Sequence, residues 1–151
     1  MKNKIIILGL AGTGKTTLAK TLAEKINYIY LNDWKILDNK QNLLKEIEII
    51  LSSNEKVVLD LDLRNFENYV LFESGENQDV VYLLFGETLG EDILFKVFQE
   101  KDKNISVETV KGYLDISKKY KAFCIENKLK FIEISKDRNE VLMNILNELK
   151  K

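Results

Sequence analysis

Eight residues near the amino terminus, Gly9 to Thr16, follow the spacing G-x-x-x-x-G-K-T. In a loop of this kind, backbone N–H groups surround the α- and β-phosphates of a nucleotide, a lysine reaches the β- and γ-phosphates, and a hydroxyl binds Mg²⁺. Lys15 and Thr16 occupy those last two positions. The residue types therefore predict a site for ATP and Mg²⁺. The other residues expected to contact the nucleotide are Gly9, Ala11, Gly12, Thr13, Gly14 and Thr17.

Two acidic residues could complete the metal site: Asp60 lies within a later, mostly apolar run, 57–61, and Asp62 directly follows it. A carboxylate at the end of a strand beside such a loop can hold Mg²⁺, usually through a water, opposite the loop hydroxyl of Thr16. Asp60 and Asp62 are two residues apart, so on a strand they point to the same face and either could serve. We favour Asp60.

A third acidic residue, Asp33, follows the apolar run 28–31. A carboxylate there can accept a hydrogen bond from the hydroxyl of a second substrate, or act as its base. A helix-capping or loop role is an equally consistent reading. Trp34, beside it, could stack on a ring of that substrate, although a tryptophan at the edge of the core is the better-supported interpretation.

The flanking residues predict the elements that position these side chains. An apolar strand precedes the loop at 5–8, and a helix follows it with Leu18, Leu22 and Ile26 on one face. Pairs typical of capping boxes predict helix starts. These pairs are Asp38 with Gln41, Thr88 with Glu91, and Asp137 with Glu140. Further strands are expected at 28–31, 57–61, 80–85 and 130–135, a short helix at 66–70, and a longer helix from about Ser106.

Strands and helices thus alternate along the chain, which predicts parallel strands joined by right-handed crossovers. We expect an α/β architecture: a three-layer P-loop NTPase fold with a five-stranded parallel sheet, helices on both faces, and a short lid formed by the charged segment 100–104. One domain is expected to span 1–151. A ligand site would lie outside the carboxyl ends of the strands, where the polar residues above are found.

Composition excludes several classes of function. The 151-residue chain has no histidine, which removes mechanisms based on Ser-His or Cys-His pairs. A formal net charge of -1 provides no basic field for nucleic acid or an anionic membrane, so neither is expected as a partner. A single cysteine, Cys124, suits a cytoplasmic protein and is interpreted as a core residue. No segment is apolar for long enough to predict a membrane span.

The segment Asp60-Leu61-Asp62-Leu63-Arg64 resembles the D-G-F-P-R element of the nucleoside monophosphate kinases, the adenylate kinase-like group of P-loop small-molecule kinases, in the spacing of its Asp and Arg. The resemblance implies that Arg64 binds an anionic group of the phosphoryl acceptor. It also implies that Asp33 lines the acceptor site and that Arg138 lies near the adenine.

The later half of the chain departs from that family. Lid helices of these kinases bring arginines onto the transferring phosphoryl group, whereas this sequence has no arginine between Arg64 and Arg138. The cations at the expected places are Lys96, Lys101 and Lys103, and Tyr113 stands roughly where one lid-side arginine would fall. Lysine supplies charge without the two-pronged geometry of arginine.

The sequence therefore favours an ATP- and Mg²⁺-dependent kinase acting on a nucleoside, a nucleotide or another small metabolite. Lys15, Asp33 and Arg64 are its expected catalytic residues. Two alternatives stay open: an NTP hydrolase or switch, and a nucleotide-binding module with weak or no catalysis. A hydrolase typically carries a glutamate after the strand-three aspartate, where this chain has Leu61, and a guanine-reading N-K-x-D is not completed by Asn127-Lys128-Leu129-Lys130. The sequence does not specify the acceptor or the oligomeric state.

Overall fold

The fold was analysed in a computed structural model that describes residues 1–10, 14–37, 42–65, 74–85, 91–134 and 138–149. Five strands form one sheet in the order β2-β3-β1-β4-β5, and every pairing is parallel. This confirms the predicted sheet. The strands are β1 (Lys4–Gly9), β2 (Ile29–Asn32), β3 (Val57–Asp62), β4 (Gln78–Phe85) and β5 (Phe131–Ile134).

Six α-helices lie in the described parts of the chain, and a single 3₁₀ turn, Leu63–Asn65, follows β3. The crossover from β1 to β2 and the crossover from β4 to β5 run in opposite directions along the sheet. Because such crossovers are right-handed, their helices cover opposite faces. The helices are α1 (Lys15–Ile26), α2 (Asp33–Leu37), α3 (Leu43–Ser52), α4 (Glu91–Lys101), α5 (Val107–Glu126) and α6 (Arg138–Leu149).

The core is centred on β1, whose neighbours are β3 and β4. The side chains of Ile5, Ile6 and Ile7 have no exposed surface. A strand covered on both faces reads as a continuous apolar run rather than an alternating one, which is why 5–8 and 80–85 were recognisable as strands in the sequence. Among the helices, α1 contributes Leu18 and Leu22 to the same core, and α6 contributes Ile145.

Two helix starts differ from the prediction. The capping box at Asp38 and Gln41 falls outside the described residues, and α3 begins at Leu43, with the side chain of Asn42 accepting a hydrogen bond from the backbone N–H of Lys45. An unpredicted helix, α2, follows β2 directly, since the side chain of Asn32 accepts from the N–H of Lys35. A polar cap satisfies otherwise unpaired N–H groups at a helix start.

Other predicted boundaries can be compared in part. Helix α5 begins where expected, and Ser106 caps it, accepting from the N–H of Thr109 at 3.1 Å. The predicted lid was placed at 100–104, but α4 continues to Lys101, so that a five-residue link, 102–106, connects it to α5. The short helix expected at 66–70 lies outside the described residues, as do Thr88 and Asp137 of the other two capping boxes.

The sheet register brings the predicted polar residues to one edge. Asn32 at the end of β2 is opposite Asp60, and Gly9 at the end of β1 is opposite Asp62. Because all strands are parallel, these residues share the carboxyl edge of the sheet with the start of α1. The loop, the strand-end aspartates and the beginning of α2 therefore meet in one place.

Candidate active site

The two ends of the glycine-rich loop are described, and they have the backbone that the motif requires. Gly14 has a φ of 78° and a ψ of 13°, a left-handed conformation that glycine adopts without a steric penalty. Helix α1 begins at the next residue, so Lys15 and Thr16 lie in its first turn, where unpaired N–H groups and the helix dipole favour anions. Gly9 ends β1. Ala11, Gly12 and Thr13 lie outside the described residues.

Lys15 and Asp60 form an ion pair in the floor of the site. The ammonium Nζ of Lys15 donates to Oδ1 of Asp60 at 2.9 Å. The side chain of Asp60 is only 1% exposed and that of Lys15 14%. A buried carboxylate needs such a compensating charge, since desolvation of an unpaired ion is costly. The structure thus brings together two residues that sequence reasoning assigned to the nucleotide and to its metal.

Tyr30 holds the other oxygen of the same carboxylate. Its phenolic O–H donates to Oδ2 of Asp60 at 2.6 Å. The amide of Asn32 donates to the phenol at 3.4 Å. Burial, followed by the bond to Asp60 and its charge, raises the pKa of Tyr30 from 10 to about 12, because ionisation would place two anions together. The side chains of Asn32 and Thr16 favour the ionised phenol and so partly oppose this rise in the pKa of Tyr30.

Sequence reasoning treated Tyr30 only as a strand residue. The signal that could have identified it is alternation: Tyr30 and Asn32 share one face of β2, two residues apart, and Leu31 lies between them on the other face. Asn32 is opposite Asp60 in the sheet, so Tyr30 and Asn32 lie on the same sheet face as that carboxylate, and the Tyr30 hydroxyl has an acceptor nearby.

Thr16 and Asp60 fit a magnesium ion. Both carry oxygens that can bind the ion, and Tyr30, which donates to Asp60, is close enough to Thr16 for that side chain to affect the pKa of the phenol. Within the described ranges no group of three or more His, Cys, Asp or Glu side chains forms a metal cluster. Mg²⁺ usually binds one or two protein oxygens and completes its shell with water and substrate phosphates, so Thr16 and Asp60 are a sufficient set of protein ligands.

A second group of side chains lies beyond the end of β3. The guanidinium of Arg64 forms a two-pronged ion pair, or fork, with the carboxylate of Asp62. Nε donates to Oδ1 at 3.1 Å and the terminal nitrogen NH2 donates to Oδ2 at 2.7 Å. The remaining nitrogen of Arg64, NH1, donates to the hydroxyl of Tyr113 at 3.0 Å. Hydrogen bonding to Asp62 raises the pKa of Arg64 above its usual value.

This group is joined to Asp33 and to α5. Oδ2 of Asp33 accepts from the backbone N–H of Asp62 at 3.3 Å, so the first residue of α2 is tied to the end of β3. Tyr113 stacks on Phe98, with ring centroids 5.1 Å apart, and Phe98 makes an edge contact with Phe85 at the end of β4. The aromatic contacts connect α4 and α5 to the carboxyl edge of the sheet.

The remaining predicted residues have different surroundings. Thr17 is exposed on α1, and Lys96 and Lys103 are exposed on or after α4. Arg138 is the first residue of α6, but its side chain and that of Lys101 lie outside the described set. Cys124 is fully buried, as expected of a core residue, and burial raises the pKa of its thiol to about 12.

No helix in the described parts of the chain combines the length and apolar character needed to cross a bilayer.

The chain is similar to known kinases, although no family model matches it. It is 34% identical over 85 residues to a bifunctional pantoate ligase/cytidylate kinase of Prochlorococcus marinus (strain MIT 9301), covering 44% of this chain and 17% of that protein. It is 32% identical over 80 residues to a cytidylate kinase of Mycoplasmopsis synoviae (strain 53), covering 51% and 37% respectively. The chain therefore spans less than half the length of either relative.

Among solved structures, the shikimate kinase of Bacteroides thetaiotaomicron superposes with a TM-score of 0.66 at 15% identity, with 98% of each chain covered. At that identity the likeness shows the fold alone, and the fold is that of the P-loop small-molecule kinases. The predicted fold class is confirmed.

Proposed function

We propose that this chain, whose fold is that of the P-loop small-molecule kinases, transfers the γ-phosphoryl group of ATP to a hydroxyl of a small molecule. The observation that carries the proposal is the cluster of Lys15, Asp60, Tyr30 and Thr16 next to the left-handed Gly14. This cluster places a cation, a carboxylate and a hydroxyl at a helix N-terminus, which is what a triphosphate and its magnesium require.

Each residue has a proposed role on the donor side. Lys15 and the N–H groups at the start of α1 bind the phosphates, and the loop residues Gly9 to Thr17 surround them. Thr16 and Asp60 would hold Mg²⁺, which would neutralise charge on the phosphates. Arg138, at the start of α6, is proposed to lie beside the adenine.

On the acceptor side, Asp33 is the proposed base. The acceptor hydroxyl oxygen bonds to the γ-phosphorus while the bond from that phosphorus to the bridging β–γ oxygen breaks, and ADP leaves with the bridging oxygen. The hydroxyl proton passes to the carboxylate of Asp33 and then to solvent. Positioning and charge neutralisation supply most of the acceleration in such reactions, so no histidine is needed.

A hydrolytic function has less support at this site. The residue after Asp60 is Leu61, which has no exposed surface and carries no group able to activate a water. A catalytic glutamate at that position would be the expected feature of a hydrolase.

The test is a coupled assay for ADP release with ATP and Mg²⁺ over nucleosides, nucleotides and sugar-like alcohols. We expect at least one acceptor to stimulate ADP release, and the Lys15→Met variant to lose that stimulation. Strong release without any acceptor would favour a hydrolase instead. Tight ATP binding with no stimulation by any acceptor would favour a binding module.

A further inference from the structure

The phenol of Tyr30 holds one oxygen of Asp60, the carboxylate proposed above as a magnesium ligand. We propose that Tyr30 is a positioning residue for that ion. Its O–H fixes Oδ2 of Asp60, so that Oδ1 is the oxygen offered to Mg²⁺ or to a water bound to the ion. This inference rests on the kinase function proposed above, and only on its donor side. It adds a residue that no motif in the sequence marks.

The two oxygens of Asp60 have partners of different kinds. Oδ2 accepts from the O–H of Tyr30 at 2.6 Å, and Oδ1 accepts from Nζ of Lys15 at 2.9 Å. A lysine ammonium is a compact charge on a flexible stem, with three donors that can turn to a new acceptor. A phenol carries a single O–H at the end of a rigid ring. Lys15 can therefore exchange Asp60 for a phosphate, whereas Tyr30 stays.

Tyr30 is held in place by elements that do not depend on a nucleotide. Strand β2 pairs with β3, with Tyr30 opposite Val58. The side-chain amide of Asn32 donates to the phenol at 3.4 Å. The ammonium groups of Lys20, on α1, and Lys35, on α2, lie over the ring at 5.6 and 4.9 Å from its centre, where the aromatic face attracts a cation. One strand and two helices thus fix the hydroxyl before any ligand binds.

The oxygen that Lys15 would vacate faces the phosphate-binding loop. Lys15 contacts Oδ1 of Asp60, and the next residue, Thr16, carries the second proposed oxygen ligand in the same first turn of α1. The side chain of Asp60 is 1% exposed, so bulk water is a poor substitute for either partner. With Oδ2 held by Tyr30, Oδ1 is directed to the side on which the ion would meet the phosphates.

The orientation of the carboxylate matters because Mg²⁺ demands nearly octahedral geometry, with oxygens at about 2.0–2.1 Å. Hydrogen bonds from the surroundings to a metal-binding side chain fix its orientation, and their loss typically lowers metal affinity by about 10- to 100-fold. Without the Tyr30 hydroxyl, Asp60 is free to turn its carboxylate or to keep Lys15 as its partner. Either response weakens the metal site.

The experiment isolates the contribution of the metal. Binding of the β,γ-imido analogue of ATP is measured by calorimetry, once with saturating Mg²⁺ and once with EDTA, and the ratio of the two affinities is taken. By linkage, this ratio is the factor by which the protein strengthens the binding of Mg²⁺ to the nucleotide. A substitution that affects only the stability of the protein or its contacts with the nucleotide changes both affinities alike and leaves the ratio unchanged.

Tyr30→Phe keeps the ring and removes one oxygen. We expect the unmodified protein to bind the analogue at least about tenfold more tightly with Mg²⁺ than without, and Tyr30→Phe to lose most of that factor. Tyr28→Phe is the matched control, because the Tyr28 hydroxyl also donates within the protein, to the backbone carbonyl of Lys2 at 2.9 Å. Its ratio should equal that of the unmodified protein.

A crystal structure of the unmodified protein with the same analogue and Mg²⁺ tests the geometry without any variant, so a variant that fails to fold does not remove the test. We expect the Tyr30 hydroxyl to remain within hydrogen-bond distance of Oδ2 of Asp60. Lys15 should contact a phosphate, and the ion or one of its waters should contact Oδ1. An ion or water on Oδ2, with the phenol displaced, would overturn the inference.

The binding measurements separate this inference from the proposed function. A ratio in Tyr30→Phe equal to that of the unmodified protein, or an equal fall in Tyr28→Phe, would overturn the inference and leave the kinase function intact. Equal affinity of the unmodified protein for the analogue with and without Mg²⁺ would also overturn it. No binding of the analogue under either condition would refute the proposed function itself, and the inference with it.

Discussion

Removal of a single oxygen from Tyr30 tests how the buried carboxylate is held. In Tyr30→Phe the ring stays, with the ammonium groups of Lys20 and Lys35 still 5.6 and 4.9 Å from its centre, while the 2.6 Å bond to Asp60 is lost. A hydrogen bond to a charged group contributes about 1.5–3 kcal/mol. Asp60 keeps Lys15, so we expect the free energy of unfolding of the nucleotide-free protein to fall by about 2 kcal/mol.

The matched control is Tyr28→Phe, two residues before Tyr30 and just ahead of β2. The Tyr28 hydroxyl also bonds within the protein, to the backbone carbonyl of Lys2 at 2.9 Å, and Lys56 lies over its ring at 5.9 Å. Its acceptor is uncharged, so the expected loss is only about 1 kcal/mol. Urea unfolding of both variants gives the comparison, because the midpoint shifts while the slope stays constant when only stability changes.

The pH dependence gives a second measurement on the same bond. The pKa of Tyr30 is raised in the folded protein from 10 to about 12, so the folded state holds this proton more tightly than the unfolded state. Its contribution is therefore complete below pH 10 and is lost as the pH rises from 10 through 12. The difference in stability between the unmodified protein and Tyr30→Phe should shrink over that range. A loss in Tyr30→Phe no larger than in Tyr28→Phe would refute the reasoning.

Three further outcomes follow from the geometry. Lys15→Met should abolish measurable ATP binding in calorimetry. The free energy of unfolding should also fall by about 3 kcal/mol, because the buried Asp60 loses its cation. Unchanged ATP affinity would contradict the assignment of the loop. Ser106→Ala should cost about 1 kcal/mol in urea unfolding through loss of the α5 cap, and no loss would mean that solvent satisfies the Thr109 N–H equally well. The Cys124 thiol should react with a thiol reagent only after denaturant is added, since the thiol is buried and its pKa is raised to about 12. Fast labelling of the native protein would show instead that α5 opens.

Much of the fold follows from local patterns in the sequence. The central residues of β1 and β4 are all apolar, which marks both segments as buried strands. The glycine-rich motif between β1 and α1 predicts a strand before it and a helix after it. Asp60 was recognised for the same reason, since a polar residue stands out in a buried run. These features depend on neighbouring residues alone, so no knowledge of the sheet was needed.

The missed features depend on how distant elements meet. The contact of Tyr30 with Asp60 exists because β2 pairs with β3 in a register that places Asn32 opposite Asp60, and no local pattern specifies that register. The fork between Asp62 and Arg64 depends on the 3₁₀ turn after β3, in which the backbone N–H of Arg64 also donates to Oδ1 of Asp62 at 2.9 Å. Helix α2 was missed because its five residues are too few to show a helical period.

The ion pair of Lys15 with Asp60 has a thermodynamic consequence for how the donor would be taken up. Lys15 can turn to a phosphate only by leaving a carboxylate that is 1% exposed, and that carboxylate then needs another positive charge. The nucleotide and its divalent cation would therefore each strengthen the binding of the other by the same factor, as linkage requires. Either one alone would meet a site whose charges already satisfy each other.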